Sequence, residues 1–273
     1  RYDKELFQLA PRLKAVAKFG VGVDNIDGDA AAQHGIYVLN APGQNSDSVA
    51  ELAMCMILAL LRDVVPAHQS ISSGGWPRIL GQELSGKTVG LIGFGAVSRL
   101  LAARLTAFEA NVLACDLIPN RAEASRLGVR LCSQEEVLAQ SDIVSLHIPS
   151  LPENDHLIRA DTISCMKDGA YLINTARGAL VDLDALAAAL QSGKLSGAAL
   201  DAFSVEPLPM TAAIRNCKNV ILTPHIGGET IPAYQKLAAC TAQDIASVLA
   251  GREPVHCTNL ASLKKYWKGQ KVL

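Results

Sequence analysis

Arg177, Glu206 and His225 each stand just past a hydrophobic run of strand-forming type: Ala170–Asn174, Ala198–Asp201 and Val220–Thr223. In an open α/β sheet, ligands bind in the crevice beyond the carboxyl ends of the strands. Three such residues delivered to one edge make a kit for proton and hydride chemistry on a small acid. A guanidinium grips a carboxylate in bidentate fashion where a lysine cannot. An imidazole exchanges protons near neutrality, and a carboxylate beside its second nitrogen fixes the tautomer. Taken singly, each has a blander reading: a salt-bridged loop arginine, a turn acid before Pro207, a hydrogen-bonded strand-end histidine. Their joint placement carries the catalytic reading. The other histidines lack this context, with His34 in a helical pattern, His68 and His256 beside loop prolines, and His156 in a polar turn. His147 ends a strand and is expected to shape a wall rather than move protons.

Upstream, Thr88-Val89-Gly90-Leu91-Ile92-Gly93-Phe94-Gly95-Ala96-Val97-Ser98 runs from strand through a tight glycine turn into a helix. Gly93 permits the turn, and Gly95 lets backbone amides approach a pyrophosphate at the helix N-terminus. Ser98 occupies the place of the third glycine in this fingerprint. Asp116 ends the next strand twenty-three positions after Gly93, close to the spacing of a carboxylate that holds a ribose 2′-hydroxyl. A carboxylate there repels a 2′-phosphate, which favours NAD over NADP; Arg121 nearby argues the other way. An adenosyl-methionine site, or a strand–turn–helix junction with no ligand, would use a similar loop.

The elements that must position these residues follow from the pattern. Short β-rich runs at Thr88–Ile92, Asn111–Cys115, Val129–Cys132, Asp142–His147, Ala170–Asn174, Gly197–Leu200 and Val220–Thr223 alternate with helical segments at Ser98–Phe108, Asn120–Leu127, Ser133–Ala139, Thr162–Met166 and Leu183–Ser192. That alternation predicts βαβ units and a parallel, doubly wound sheet covered on both faces. Further strands are expected at Ala15–Phe19 and Tyr37–Leu39, with a helix at Gly28–His34 between them. A long helix follows Ser46; its Leu52–Leu61 stretch is apolar on every face, so it must be buried all round, and a two-fold subunit interface aided by Trp76 is the favoured way. Gly74-Gly75-Trp76-Pro77 marks an exposed connection. Lys264-Lys265-Tyr266-Trp267-Lys268 reads as a loosely ordered tail.

Bulk composition excludes several classes. The 273 residues are 49% hydrophobic with a formal net charge of −1, which offers no global field to attract nucleic acid or anionic membrane. The longest apolar stretch falls short of the ~20 residues of a membrane span. Seven scattered cysteines, without a CxxC pair or a His/Cys cluster at ligand spacing, suit reduced thiols in a cytoplasmic protein with no metal.

At the level of motifs, the chain resembles the D-isomer-specific 2-hydroxyacid dehydrogenases, nearest to their phosphoglycerate dehydrogenase and hydroxypyruvate reductase branch. The likeness runs from about Leu13 to about Asn259 and rests on Gly20-Val21-Gly22-Val23-Asp24-Asn25-Ile26-Asp27, Asn45-Ser46 with Val49-Ala50-Glu51, the glycine loop, Asn174-Thr175-Ala176-Arg177-Gly178, Glu206-Pro207 and Pro224-His225-Ile226-Gly227-Gly228. It implies a Rossmann-like NAD domain (41–228, including an interface helix at 46–62) and a smaller flavodoxin-like substrate domain (1–40 with 229–260), followed by a tail at 261–273. It implies His225 as acid/base, Glu206 as its partner and Arg177 as the clamp on substrate carboxylate and carbonyl. Val21, Gly22 and Asn45 would complete the carboxylate pocket. Gly93, Gly95, Ala96, Val97, Asp116, His147, Pro149, Asn154, Thr175, Ala176, Gly227 and Gly228 would line NAD, and Asp201 would hold the nicotinamide amide. The implied substrate is a small D-2-hydroxy or 2-keto acid, and the implied assembly a homodimer.

The chain departs from the family at three places. Ala96-Val97-Ser98 stands where Arg-Ile-Gly is usual, and Asn154 where a threonine is common. The family's opening strands and helices precede the region matched here, and the chain lacks an initiating Met, so an N-terminally truncated substrate domain is expected. A non-catalytic, NAD-sensing interaction protein of corepressor type is the alternative, since such proteins keep the same site residues.

Overall fold

The computed structural model describes residues 1–270. Contacts divide the chain into two units, residues 1–45 with 228–273, and residues 46–227.

The first unit begins with α1 (Lys4–Gln8), β1 (Ala15–Ala17), α2 (Gly28–Gln33) and β2 (Tyr37–Leu39). Strands β1 and β2 pair in parallel. Asp27 starts α2 by accepting from the Ala30 amide at 2.9 Å, an N-cap that satisfies one orphan donor. Phe7, Ala30, Ala31, Ile36 and Val38 form this unit's core.

The second unit holds α3 (Ser46–Leu61), α4 (Val64–Ser72), β3 (Thr88–Ile92), α5 (Ala96–Ala107), β4 (Asn111–Cys115), α6 (Arg121–Arg126), β5 (Arg130–Leu131), α7 (Gln134–Gln140), β6 (Ile143–Leu146), α8 (Ala160–Cys165), β7 (Ala170–Asn174), α9 (Leu183–Gln191), β8 (Leu195–Leu200) and β9 (Val220–Leu222). Its seven strands form one sheet in the order β5-β4-β3-β6-β7-β8-β9. Every pairing is parallel. The order reverses between β3 and β6, the switch point at which a crevice opens in doubly wound sheets. Successive residues of a strand face opposite sides, so Tyr171 and Ile173 join one core with α3 and α5. Ala170 and Leu172 join the other with α7, α8 and α9. Capping is local and legible: Ser133 and Glu136 form a capping box on α7, Asp182 caps α9, and Gly193 follows its end at φ +79°.

The chain then returns to the first unit with α10 (Ile231–Leu249) and α11 (Leu260–Gln270). Asn259 is a hub that the sequence does not single out. Its side chain accepts from the Val38 amide at 2.9 Å and donates to the carbonyls of Gly28 and Ile36, each at 3.0 Å.

One expectation needs correction, and another gains a second account. The basic 261–273 segment is not a loose tail over its described part: Leu263 is fully buried, α11 packs on α2, and Trp267 meets Tyr37 edge-on with ring centroids 5.6 Å apart. Leu260, Leu263 and Trp267 recur at helical spacing, which the intervening lysines obscure. Residues 271–273 lie outside the described residues. Helix α3 is buried mostly within its own unit: Ala50, Ala53, Met54, Met56, Ile57, Leu60 and Leu61 sit in the core, so its all-round apolarity does not itself demand a second subunit.

Leu263→Ala should cost about 2–5 kcal/mol, the usual range for emptying a packed leucine site. A change in denaturation free energy below ~0.5 kcal/mol, within the scatter of surface substitutions, would mean that α11 is not docked.

His147, just past β6, generates a second expectation. Burial pushes its pKa down to about 4, and Ser145 Oγ lies 2.9 Å from Nε2. The unfolded chain binds this proton below about pH 6.5, whereas the native state resists it until about pH 4. Native stability should therefore fall as pH drops through that window, by on the order of 3 kcal/mol at most, and level off below it. His147→Gln should flatten this part of a pH-resolved urea denaturation series; an unchanged slope would remove the assignment.

Candidate active site

The carboxyl ends of β7, β8 and β9 are neighbours in the sheet, and each launches one of the three charged residues. Beyond β7, fully buried Asn174 shapes the turn: its Oδ1 accepts from the Ala176 amide at 3.0 Å and its Nδ2 donates to the Arg177 carbonyl at 2.8 Å. Arg177 leaves this turn with Nη1 donating to the Ala176 carbonyl at 2.8 Å. Gly178 follows, and a Cβ there would lie 1.9 Å from the Phe203 carbonyl carbon. Only glycine allows the Arg177 turn to lie directly against the loop that leaves β8.

That loop carries Glu206. Its Oε1 accepts from the Phe203 amide at 2.9 Å, and both carboxylate oxygens lie 3.1 Å from His225 Nδ1. With Nδ1–H donating to Glu206, Nε2 is the nitrogen left to take up or deliver a proton. The side chains are 51% and 39% exposed for His225 and Glu206, open enough for a small substrate to reach the imidazole. A cavity of about 500 Å³, walled by Phe203, Pro207, Leu208, Leu222 and Pro224, opens beside the glutamate.

His225 sits in the left-handed region at φ +57°, a conformation rare for a residue other than glycine and costing roughly 1–3 kcal/mol. Asp201 holds it there. This carboxylate is 1% exposed and accepts from Thr223 Oγ1 at 2.6 Å, the Ile226 amide at 2.8 Å and the Gly227 amide at 2.8 Å. Sequence reasoning makes Asp201 a cofactor residue; the partners seen here belong to the loop that presents His225. Thr223 escapes that reasoning altogether.

The glycine loop is built as its spacing implies. Gly93 has φ +94°, and a Cβ would meet the His147 carbonyl oxygen at 2.6 Å. Ser98 is fully buried and its hydroxyl donates to the Gly93 carbonyl at 2.6 Å, so this departure from glycine ties helix to turn. Gly95 precedes α5 without a side-chain cap, and a Cβ there would meet nothing within 4 Å. The first amides of α5, at Ala96, Val97 and Ser98, thus face no capping side chain, the arrangement suited to a pyrophosphate. Asp116 accepts from the Phe94 amide at 2.7 Å and the Ile118 amide at 2.9 Å, which fixes the carboxylate at the end of β4 with lone pairs to spare for a ribose hydroxyl. Thr175 Oγ1 is buried with no hydrogen-bond partner among the described residues, an orphan that a bound cofactor would satisfy. These residues fit NAD.

The remaining expected residues are placed as follows. Asn154 Nδ2 donates to the Pro149 carbonyl at 3.1 Å, so the amide braces its own loop. Ala176 is half-buried beside Thr175, and Gly227 is buried against Asp201, Val49 and Leu52. Val21, Gly22, Asn45 and Gly228 belong to the other unit. There Asn40 Nδ2 donates to the Val21 carbonyl at 2.7 Å, and a Cβ on Gly228 would lie 2.9 Å from Asn45 Nδ2.

Comparison with known proteins bears on the whole arrangement. Residues 54–227 match the family model for the D-isomer specific 2-hydroxyacid dehydrogenase, NAD binding domain. The chain is 40% identical over 272 residues to a glyoxylate reductase from Thermofilum pendens, spanning 97% of this chain and 80% of that protein. It is also 40% identical to a D-3-phosphoglycerate dehydrogenase from Archaeoglobus fulgidus, where 97% of this chain spans 50% of the relative's length. Among solved structures, the TT0316 protein from Thermus thermophilus superposes with a TM-score of 0.89 at 37% identity, covering 94% of this chain and 83% of that one. On the strength of the matched NAD-binding domain and of these relatives, the chain belongs to the D-isomer specific 2-hydroxyacid dehydrogenase family.

Proposed function

We propose that the protein transfers hydride between NAD(H) and a small D-2-hydroxy acid or its 2-keto acid, with His225 as acid/base, Glu206 as its partner and Arg177 as the clamp on carboxylate and carbonyl. One observation carries these roles: His225 Nδ1 lies 3.1 Å from both oxygens of Glu206 on a loop that Asp201 pins in an uncommon backbone conformation. When bound, NAD(H) supplies the hydride chemistry. The chain's own residues do the rest. Arg177 orients the acid so that its carbonyl carbon is presented, and its charge favours the oxygen as negative charge grows there. His225 Nε2 gives that oxygen a proton in reduction and takes it in oxidation, while Glu206 keeps the tautomer right and steadies the imidazolium. Asp116 at the ribose position supports NAD over NADP. The relatives carry the names of reductases and dehydrogenases, which does not favour the non-catalytic alternative.

A homodimer in the cytoplasm is the assembly we infer. Trp76 is 84% and Leu80 95% exposed on the segment after α4, apolar surface that a second copy would cover, and all seven cysteines are free thiols. No helix among the described residues is long and apolar enough to cross a membrane.

With hydroxypyruvate or glyoxylate as substrate, His225→Asn should lower kcat/KM by about 10²–10⁴-fold while NADH binding, read by nucleotide fluorescence, stays intact. Glu206→Gln should act in the same direction more weakly, and Arg177→Lys should raise KM. Unchanged turnover in the His225 variant would sink the assignment. For the assembly, sedimentation velocity should report a dimer that Trp76→Glu with Leu80→Glu converts to monomer; a monomeric parent protein would end that reading.

A further inference from the structure

Outside the site described, one cluster brings together side chains that share no sequence motif. Cys240 and Asp244 are spaced i, i+4 on α10, which puts them on one helical face, and His256 comes back to that face from the loop after Gly251. The thiol, a carboxylate oxygen and the imidazole Nδ1 all lie within 4.8 Å of one another. Sequence spacing does not reveal this cluster, because the third member is sixteen residues from Cys240 and arrives by a chain reversal.

We propose that Cys240, Asp244 and His256 form a three-ligand site for a borderline divalent metal ion, with Zn²⁺ the ion the donor set suits best. Thiolate, imidazole and carboxylate are the ligands such ions take. A tetrahedral zinc with ordinary bond lengths would hold these donors about 3.4–3.6 Å apart. Cys240 Sγ already lies 3.4 Å from His256 Nδ1. Asp244 Oδ2 lies 2.8 Å from the same nitrogen, a distance set by a shared proton that an ion would replace and open. The carboxylate is held from behind: Asp244 is 1% exposed, with Oδ1 accepting from the Val255 amide at 2.7 Å and Oδ2 from the His256 amide at 3.2 Å. Such outer bonds orient a ligand before the ion arrives.

A purely structural role, Asp244 anchoring the 255–256 backbone, accounts for those two amide bonds. Beyond those bonds, a thiol and a carboxylate converge on one ring nitrogen, at 3.4 Å and 2.8 Å, the juxtaposition of donors that a metal ion would use. The His256 side chain is 31% exposed, which gives the ion a way in and leaves the fourth position to water. Burial first, and then the neighbouring Asp244 carboxylate, push the Cys240 thiol pKa up, so uptake of the ion releases the thiol proton to solvent.

The whole metal-stripped protein, titrated with ZnCl₂ by calorimetry and separately with CoCl₂ by absorbance, tests this. One equivalent of Zn²⁺ should bind, and Co²⁺ should show a thiolate-to-metal charge-transfer band. Cys240→Ser and His256→Gln should each weaken Zn²⁺ binding at least roughly tenfold and abolish or shift that band. Cys257→Ser is the control: that thiol donates to Asn259 Oδ1 at 3.2 Å and should leave binding intact. Failure to bind stoichiometrically, a cobalt spectrum without a sulfur band, or undiminished binding in a folded Cys240→Ser or His256→Gln protein would overturn the proposal. Because the readout is metal binding rather than turnover, its failure would leave the catalytic reading untouched.

Discussion

The carboxylate of Asp201 is the constraint on which the candidate site depends. It is buried, it follows β8, the strand beside the β9 edge, and its oxygens take three hydrogen bonds from Thr223, Ile226 and Gly227. Hydrogen bonds to a charged group contribute about 1.5–3 kcal/mol each, so the set comfortably exceeds the ~1–3 kcal/mol that a left-handed histidine costs. A loop leaving β9 without this anchor would relax His225 to an ordinary conformation and carry the imidazole away from Glu206. The strain at one residue is thus held by bonds made at its neighbours, and the cost of burying a carboxylate is met by giving each oxygen a donor.

The same logic joins the other loops. Gly178 lets the backbone after Arg177 press against Phe203, and Phe203 in turn gives its amide to Glu206. The arginine turn is therefore tied to the glutamate–histidine pair through the backbone behind both. This suits groups that must present their polar ends to a substrate: support comes from behind, and the imidazole and carboxylate stay open to solvent. The parallel sheet supplies the framework, because consecutive βα units deliver their loops to one edge in strand order.

Much of this is legible in the sequence. The glycine loop, Asp116 and the three charged residues sit where strand endings and spacing place them, since period-2 burial and turn glycines are local signals. What escapes is long-range. Asp201 can be located by motif, but its bonds to the 223–227 loop depend on β8 and β9 lying side by side. Asn259 looks like a loop residue until β2 and α2 are folded against it. The tail misleads because lysines separate its buried Leu263 from Trp267, and a short amphipathic helix with a basic outer face resembles a solvated end. The apolar helix α3 suggests an interface because a sequence shows that a face needs cover, not what covers it.

The His225–Glu206 pair, Arg177 and the glycine loop all ride on one sheet edge within residues 46–227. The bonds described as fixing their geometry, from Asp201 to the Gly178 contact, are made inside that unit. These residues then share one rigid frame, in which small errors of placement are suppressed by packing on both sheet faces. The Val21–Gly22 turn and Asn45 stand on a separate framework, braced by Asn40. The geometry of the His225–Glu206 pair is thus fixed by bonds made within residues 46–227, independently of those that brace the smaller unit.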